Sequence, residues 1–349
     1  MPVPQVINGR YLVVRSLGGG SQGSTWLVRD LHQGEEVALK LIGHEFGPWQ
    51  EAQLLTALRD RHILPVRNAD YTAGVKFLVT ELAQGGTIDD RITAQGQRGI
   101  DVRQAVRWVR QTCEGLVRTH TTQLLHNDIK PANIFLDDVG EALLGDFGMA
   151  MLMDAQGTTF AAGTFQTMAP EVAAQLMVPG ARPSTIASDI YSLGATLYWM
   201  ITGAPPYEPR PGLTQPQMAA EVSANTPIAL RDRAPHVSQA LAQRISRAMA
   251  PNPADRYHSV SAFSAALGSL PAQTRRWVRT DECGGHWGCW RGLADGRATI
   301  LVCAIPAGAN RYNLQGVKLP GRAQIRKAAR TVKQRQLPAG IRAVLKDCA

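Results

Sequence analysis

Short β-like runs rich in apolar and β-branched residues stand near the start of the chain, Tyr11 to Leu17, Thr25 to Arg29, Glu36 to Ile42 and Phe77 to Leu82, with glycine-rich turns punctuating them. Runs of this kind mark strands, whose side chains repeat every two residues, so a small antiparallel sheet is expected there. One helix interrupts it, because Leu54, Leu55 and Leu58 fall at helical spacing within Trp49 to Leu58, just after Pro48. Beyond residue 82 the period lengthens. Asp101 to Thr121 places Val102, Ala105, Val106, Val109, Cys113, Leu116 and Val117 on one face of a long helix, and Ser188 to Thr202 and Gln239 to Met249 follow the same rule. The pattern is α+β, a strand-rich half followed by a larger helical half.

The stretch 271–349 reads separately. Trp287 to Leu293 and Arg297 to Ile305 are strand-like and flank Ala294-Asp295-Gly296, a hairpin turn. Gly321 to Gln336 is expected to be a helix with Ile325, Ala329 and Val332 on one side, ending before Pro338. Charge sets this stretch apart as well. It carries 15 Lys/Arg against 4 Asp/Glu, whereas the first 270 residues carry 22 against 24, so the net +9 belongs to the tail. A small basic α+β module is expected, with an acidic protein, nucleic acid or an acidic face of the preceding domain as its partner. Within it Cys283, His286, Cys289 and Cys303 are a candidate zinc set, against a reading in which Trp287 and Trp290 pack and the thiols are passengers.

A hydrophobic share of 44% over 349 residues is enough to bury a large or bilobal core. Met1 to Arg10 resembles neither an export nor a transit signal, and Ile190 to Ile201 is too short an apolar stretch to cross a bilayer. Five cysteines, an odd number spread over a long chain, suit a reducing compartment. A cytoplasmic protein without a membrane partner is the expectation.

Candidate chemistry begins at Leu17-Gly18-Gly19-Gly20-Ser21-Gln22-Gly23, whose glycine spacing lets backbone amides approach phosphate oxygens. Val37-Ala38-Leu39-Lys40 then ends a strand on a lysine that can grip phosphates and pair with Glu51 on the nearby helix. In His126-Asn127-Asp128-Ile129-Lys130-Pro131-Ala132-Asn133 a carboxylate and an amide stand five apart. Phosphoryl transfer needs a carboxylate to accept a hydroxyl proton, here Asp128, and oxygen ligands for magnesium, here Asn133 and the Asp146 of Asp146-Phe147-Gly148.

In this order and at these separations, the motifs resemble the eukaryotic-type protein kinase superfamily, especially its bacterial serine/threonine branch. The resemblance covers residues 8–270. It implies a bilobal fold with a small lobe near 8–82 and a large lobe near 83–270, with 271–349 appended. It implies ATP contacts at Leu17, Gly18, Gly20, Gly23, Thr25, Ala38, Lys40, Thr80, Glu81 and Ala83, with magnesium, or manganese in its place, at Asn133 and Asp146. Ala169-Pro170-Glu171 resembles the close of an activation segment, Asp189 a brace for the catalytic loop, and Arg256 the partner of Glu171. Lys130 and Thr164 match the serine/threonine branch, so proteins are the implied substrates. The chain departs from the family at Asn127, where arginine is usual, and at Met149 to Met151, which lack a second basic residue. Activity independent of activation-segment phosphorylation is therefore expected. Lys40 and Glu51 are also closer in sequence than usual, Thr25 replaces a valine, and Thr167 replaces a tyrosine. An alternative makes the basic tail the functional centre, with the kinase as its regulator.

Overall fold

The computed structural model describes residues 6–20, 23–42, 52–72, 75–94, 99–207, 210, 212–224, 226–271, 275–280 and 283–348. The small lobe is a six-stranded antiparallel sheet of β1 (Val6–Ile7), β2 (Tyr11–Gly20), β3 (Gly23–Asp30), β4 (Glu36–Ile42), β5 (Val66–Thr72) and β6 (Val75–Thr80), in the order β1-β2-β3-β4-β6-β5. Period-two alternation sorts β4 cleanly. Val37 and Leu39 join Tyr11, Val28, Phe77 and Val79 in the outer core, while Ala38 and Lys40 face the cleft between the lobes. Helix α1 (Ala52–Ala57) buries Leu55; the expected start at Trp49, and Glu51, lie outside the described residues.

The large lobe is built on α2 (Ile88–Ala94), α3 (Val102–Thr121), α4 (Pro170–Gln175), α5 (Ile186–Thr202), α6 (Gln215–Ala224), α7 (Leu230–Arg233), α8 (Gln239–Ala248) and α9 (Val260–Gly268). Two short ribbons pair β7 (Leu124–Leu125) with β10 (Met151–Leu152), and β8 (Ile134–Leu136) with β9 (Ala142–Leu144). Asp101 caps α3 by accepting from the amides of Arg103 and Gln104 at 3.1 and 3.3 Å. Helix α5 is buried almost all round and ends on Gly203, in the left-handed region at φ 76°. No helix among the described residues is long and apolar enough to cross a membrane.

The C-terminal module is a five-stranded antiparallel meander, β11 (Arg276–Thr280), β12 (Gly288–Ala294), β13 (Arg297–Pro306), β14 (Arg311–Lys318) and β15 (Arg330–Lys333), with α10 (Leu337–Asp347) across one face. The expected hairpin forms, with Asp295 and Gly296 both at positive φ, 48° and 76°, as a tight two-residue turn demands. The helix expected over Gly321 to Gln336 does not form. Ile325 and Val332 do meet the module core, but Ile325 does so from extended chain, its N–H donating to the Gly316 carbonyl at 2.8 Å just after the Gln324–Val317 bridge, and Val332 from edge strand β15. β-branched Thr331 and Val332 favour that strand. Pro338, read as a stop, instead sits in the first turn of α10, where its missing N–H costs nothing.

The module seats on the large lobe. Arg276 Nε reaches Asp101 Oδ2 at 2.8 Å, and Arg342 donates to the Arg231 carbonyl at 2.8 Å and to Asp232 at 3.2 Å.

Candidate active site

The floor of the cleft is organised by a carboxylate on α5. Asp189 accepts the backbone N–H of His126 at 3.0 Å and of Asn127 at 2.9 Å, and pairs with His120 Nε2 at 2.8 Å. Burial alone would raise this carboxyl, but the His120 bond, the neighbouring histidines and the His126 amide outweigh it and hold it below its usual value. The loop from 126 to 133 is thus anchored at its start, with Asn127 bent to φ 65°.

Anchoring places Asp128 where three donors converge. Oδ2 accepts from Lys130 Nζ at 2.8 Å and Asn133 Nδ2 at 2.9 Å, and Oδ1 accepts the Thr164 hydroxyl at 2.6 Å. Lys130 also donates to Thr164 Oγ1 at 2.8 Å, so catalytic loop and activation segment close on one carboxylate. Close approach of the two segments requires Gly163. Its φ is 126°, and a Cβ there would stand 2.5 Å from the Asn127 carbonyl oxygen.

Across the cleft, Lys40 Nζ contacts both oxygens of Asp146 at 2.7 Å. Asp146 is left-handed at φ 56°, which sends Phe147 inward against the His126 ring, centroids 4.9 Å apart. The cavity between the lobes measures about 430 Å³ and is lined by Leu17, Gly18, Gly23, Thr25, Ala38, Lys40, Thr80, Glu81 and Ala83, with Lys130, Asn133 and Asp146 below. Gly20 pairs with Gly23 at the end of the hairpin. The Glu81 side chain turns to Arg67 at 2.9 Å. Leu64, Leu78, Ala132 and Phe135 also line the cleft and were not anticipated from sequence. Phe135 was accessible to alternation, since Ile134 and Leu136 on either side in β8 are buried.

Asn133 and Asp146 offer an amide and a carboxylate in the same cavity, and the Asn133 nitrogen is turned to Asp128, leaving its oxygen for a ligand. Such hard oxygen donors fit magnesium.

The activation segment is tied down without added groups. Thr159 is fully buried; Asn127 Nδ2 donates to its hydroxyl at 3.3 Å and to the Met149 carbonyl at 3.2 Å. Thr158 donates its hydroxyl to Asp154 Oδ2 at 2.7 Å, and the same carboxylate pairs with Arg182 at 2.7 Å. The Thr158 hydroxyl and amide, with Arg182, hold the Asp154 carboxyl down at about 2. Arg182 also lies over the Phe160 ring at 4.4 Å and donates to the Thr158 carbonyl at 3.0 Å. At the end of the segment Glu171 receives both terminal nitrogens of buried Arg256 at 2.7 Å. In the module, the candidate ligand atoms of Cys283, His286, Cys289 and Cys303 lie within 4.8 Å of one another.

The protein kinase domain family matches residues 11–266. The chain belongs to the protein kinase family. The serine/threonine-protein kinase PrkC of Bacillus subtilis is 28% identical to it over 279 residues, which is 76% of this chain and 41% of that protein. PknD of Mycobacterium tuberculosis, also a serine/threonine-protein kinase, is 31% identical over 277 residues, covering 76% and 40%. The chain therefore spans about two fifths of the length of these curated relatives. The crystal structure of the Mycobacterium tuberculosis PknI kinase domain is 25% identical with a TM-score of 0.59, covering 77% of this chain and 98% of that one. Residues 267–349, which include the five-stranded module, lie outside the span that the kinase domain family matches.

Proposed function

We propose that the chain transfers the γ-phosphoryl group of ATP to serine or threonine hydroxyls of proteins, through a kinase domain spanning 8–270, with lobes 8–82 and 83–270, and an appended module at 271–349. The convergence of Lys130, Asn133 and Thr164 on the Asp128 carboxylate carries this reading. Asp128 is held where it can orient an acceptor hydroxyl and take its proton as the acceptor oxygen bonds to phosphorus and ADP leaves. Lys130 places a positive charge beside that carboxylate and the transferred phosphoryl, and Thr164 fixes the orientation of both. Lys40 supplies a second cation, from β4, toward the phosphates. Thr25, Ala38, Leu78 and Phe135 form apolar walls for adenine beside the backbone at Thr80 to Ala83. Asn133 and Asp146 would hold magnesium, or manganese, which would supply positive charge against that of the phosphates.

The activation segment is proposed to hold this arrangement unphosphorylated, since Asn127 supplies no cation and Arg182 is already paired with Asp154. Among partners for the basic tail, an acidic face of the large lobe is favoured by the Arg276 to Asp101 and Arg342 to Asp232 pairs. Reduced thiols suit a cytoplasmic setting. Incubating the purified chain with labelled ATP, magnesium and a generic basic protein, then analysing phosphoamino acids, tests the activity. Phosphoserine or phosphothreonine is expected; absence of transfer, or phosphotyrosine alone, overturns it.

A further inference from the structure

Strand alternation gives the module two faces with different chemistry. On β13, Ile300, Val302 and Ala304 point under α10 and share a core with Trp290 and Leu314. The opposite face carries Leu301 and Cys303, which pack with Cys289, Cys283 and a few flanking aliphatic residues in a separate small cluster. No helix among the described residues covers that second face, and so small a patch supplies little hydrophobic stabilisation. Cys289 and Cys303 nevertheless stand directly opposite each other on β12 and β13, and the loop ahead of β12 folds back to bring Cys283 and His286 over them. The three thiols and one imidazole come from two segments and meet at one point.

We propose that Cys283, His286, Cys289 and Cys303 form a structural zinc site that fastens the 283–288 loop onto the outer face of the module sheet. Tetrahedral zinc with Zn–S bonds of about 2.3 Å sets its sulfur ligands about 3.8 Å apart. Here Cys283 and Cys303 have sulfurs 3.9 Å apart, Cys289 and Cys303 3.2 Å, and His286 Nδ1 lies 3.3 Å from the Cys289 sulfur. With all four ligand atoms within 4.8 Å of one another, an ion needs shifts of at most about 1 Å to be enclosed. Three thiolates and an imidazole form a soft, closed set, which selects zinc over magnesium or calcium and leaves no open position for catalysis. Binding releases the protons of those thiols that are still protonated. Cys113, in α3, and Cys348, packed with the core beneath α10, lie outside the cluster.

Elemental analysis of the full chain, purified without a histidine tag and without chelator, is expected to give about one zinc per chain. Cys303→Ser and His286→Ala are each expected to lower that content at least about tenfold, with Cys113→Ser at the wild-type level. Because Cys303→Ser can disturb folding by itself, cobalt is also loaded onto wild type in place of zinc, where the visible absorption of a tetrahedral thiolate site is expected. Wild type with only trace zinc, zinc content unchanged in both ligand variants, or a Cys289 to Cys303 disulfide in the isolated protein overturns the assignment.

Discussion

Under the proposed function, Thr159 takes its place in the activation segment without a phosphate. Its hydroxyl is buried and held by Asn127, and its backbone pairs with Ser184, so a kinase acting in trans would have to pull the segment out to reach it. Thr158 is more accessible, but its hydroxyl already satisfies Asp154, whose charge is matched by Arg182. A phosphate there would stand beside a carboxylate held down at about 2 and would be repelled by it. Phosphatase-treated wild type and Thr158→Ala are therefore expected to phosphorylate a fixed peptide within about threefold of the untreated enzyme. A fall of about tenfold or more in both would mean that charge-assisted bonds to a phosphate, typically worth about 1.5 to 3 kcal/mol, do hold the segment. Arg182→Ala, which releases Asp154 and uncovers Phe160, is expected to cost activity several-fold in the same assay.

At the scale of elements, the join between α4 and the turn before α9 rests on Arg256. All its donors are taken, by Glu171, Ala187, Ala250 and Pro251, and its guanidinium lies over the Tyr191 ring at 4.9 Å. Removing one partner of so buried a pair strands the other, so Arg256→Ala is expected to destabilise the domain by about 3 to 5 kcal/mol, read by thermal or denaturant unfolding. A loss below about 1 kcal/mol would show that the pair is dispensable. Asp128, Asn133 and Asp146 were legible in sequence because the chemistry dictates both residue type and separation, whereas Asp189 and Arg256 were legible only through the resemblance to protein kinases. Leu64 and Leu78 were not, since lining a cleft asks only for an apolar surface. The 321–336 segment misled for another reason. Ile325 and Val332 are seven apart, two helical turns, yet they reach one core from extended chain beside β14 and from strand β15, so periodicity alone could not separate the cases. Asp154 and Arg182 matter through a pairing across the activation segment that no local motif announces.

Across the whole molecule, the seam between module and large lobe runs beside the start of α3. Asp101 serves both sides there, capping α3 with one oxygen and holding Arg276 with the other. His236 sits in the same seam, and its Nδ1 has no partner among the described residues. Burial, aided by Arg279, lowers His236 from its ordinary 6.5 to about 4. The folded chain thus keeps this ring neutral between those values while the unfolded chain binds a proton. Stability should therefore fall as pH drops through about 6.5 toward 4, by at most about 1.4 kcal/mol per pH unit from this group. His236→Asn, which cannot be protonated there, is expected to flatten the decline in melting temperature between about pH 6.5 and 4.5; an unchanged slope would exclude His236 as its source.

The account turns on Asp128, the carboxylate on which catalytic loop and activation segment converge. Asp128→Asn keeps the shape and one acceptor but removes the charge and the proton acceptor. The decisive measurement is the initial rate of phosphate transfer from ATP by this variant against wild type, on proteins with matching melting temperatures. A fall of at least about a hundredfold is predicted. A variant that folds and still transfers phosphate near the wild-type rate would contradict the assignment of this site.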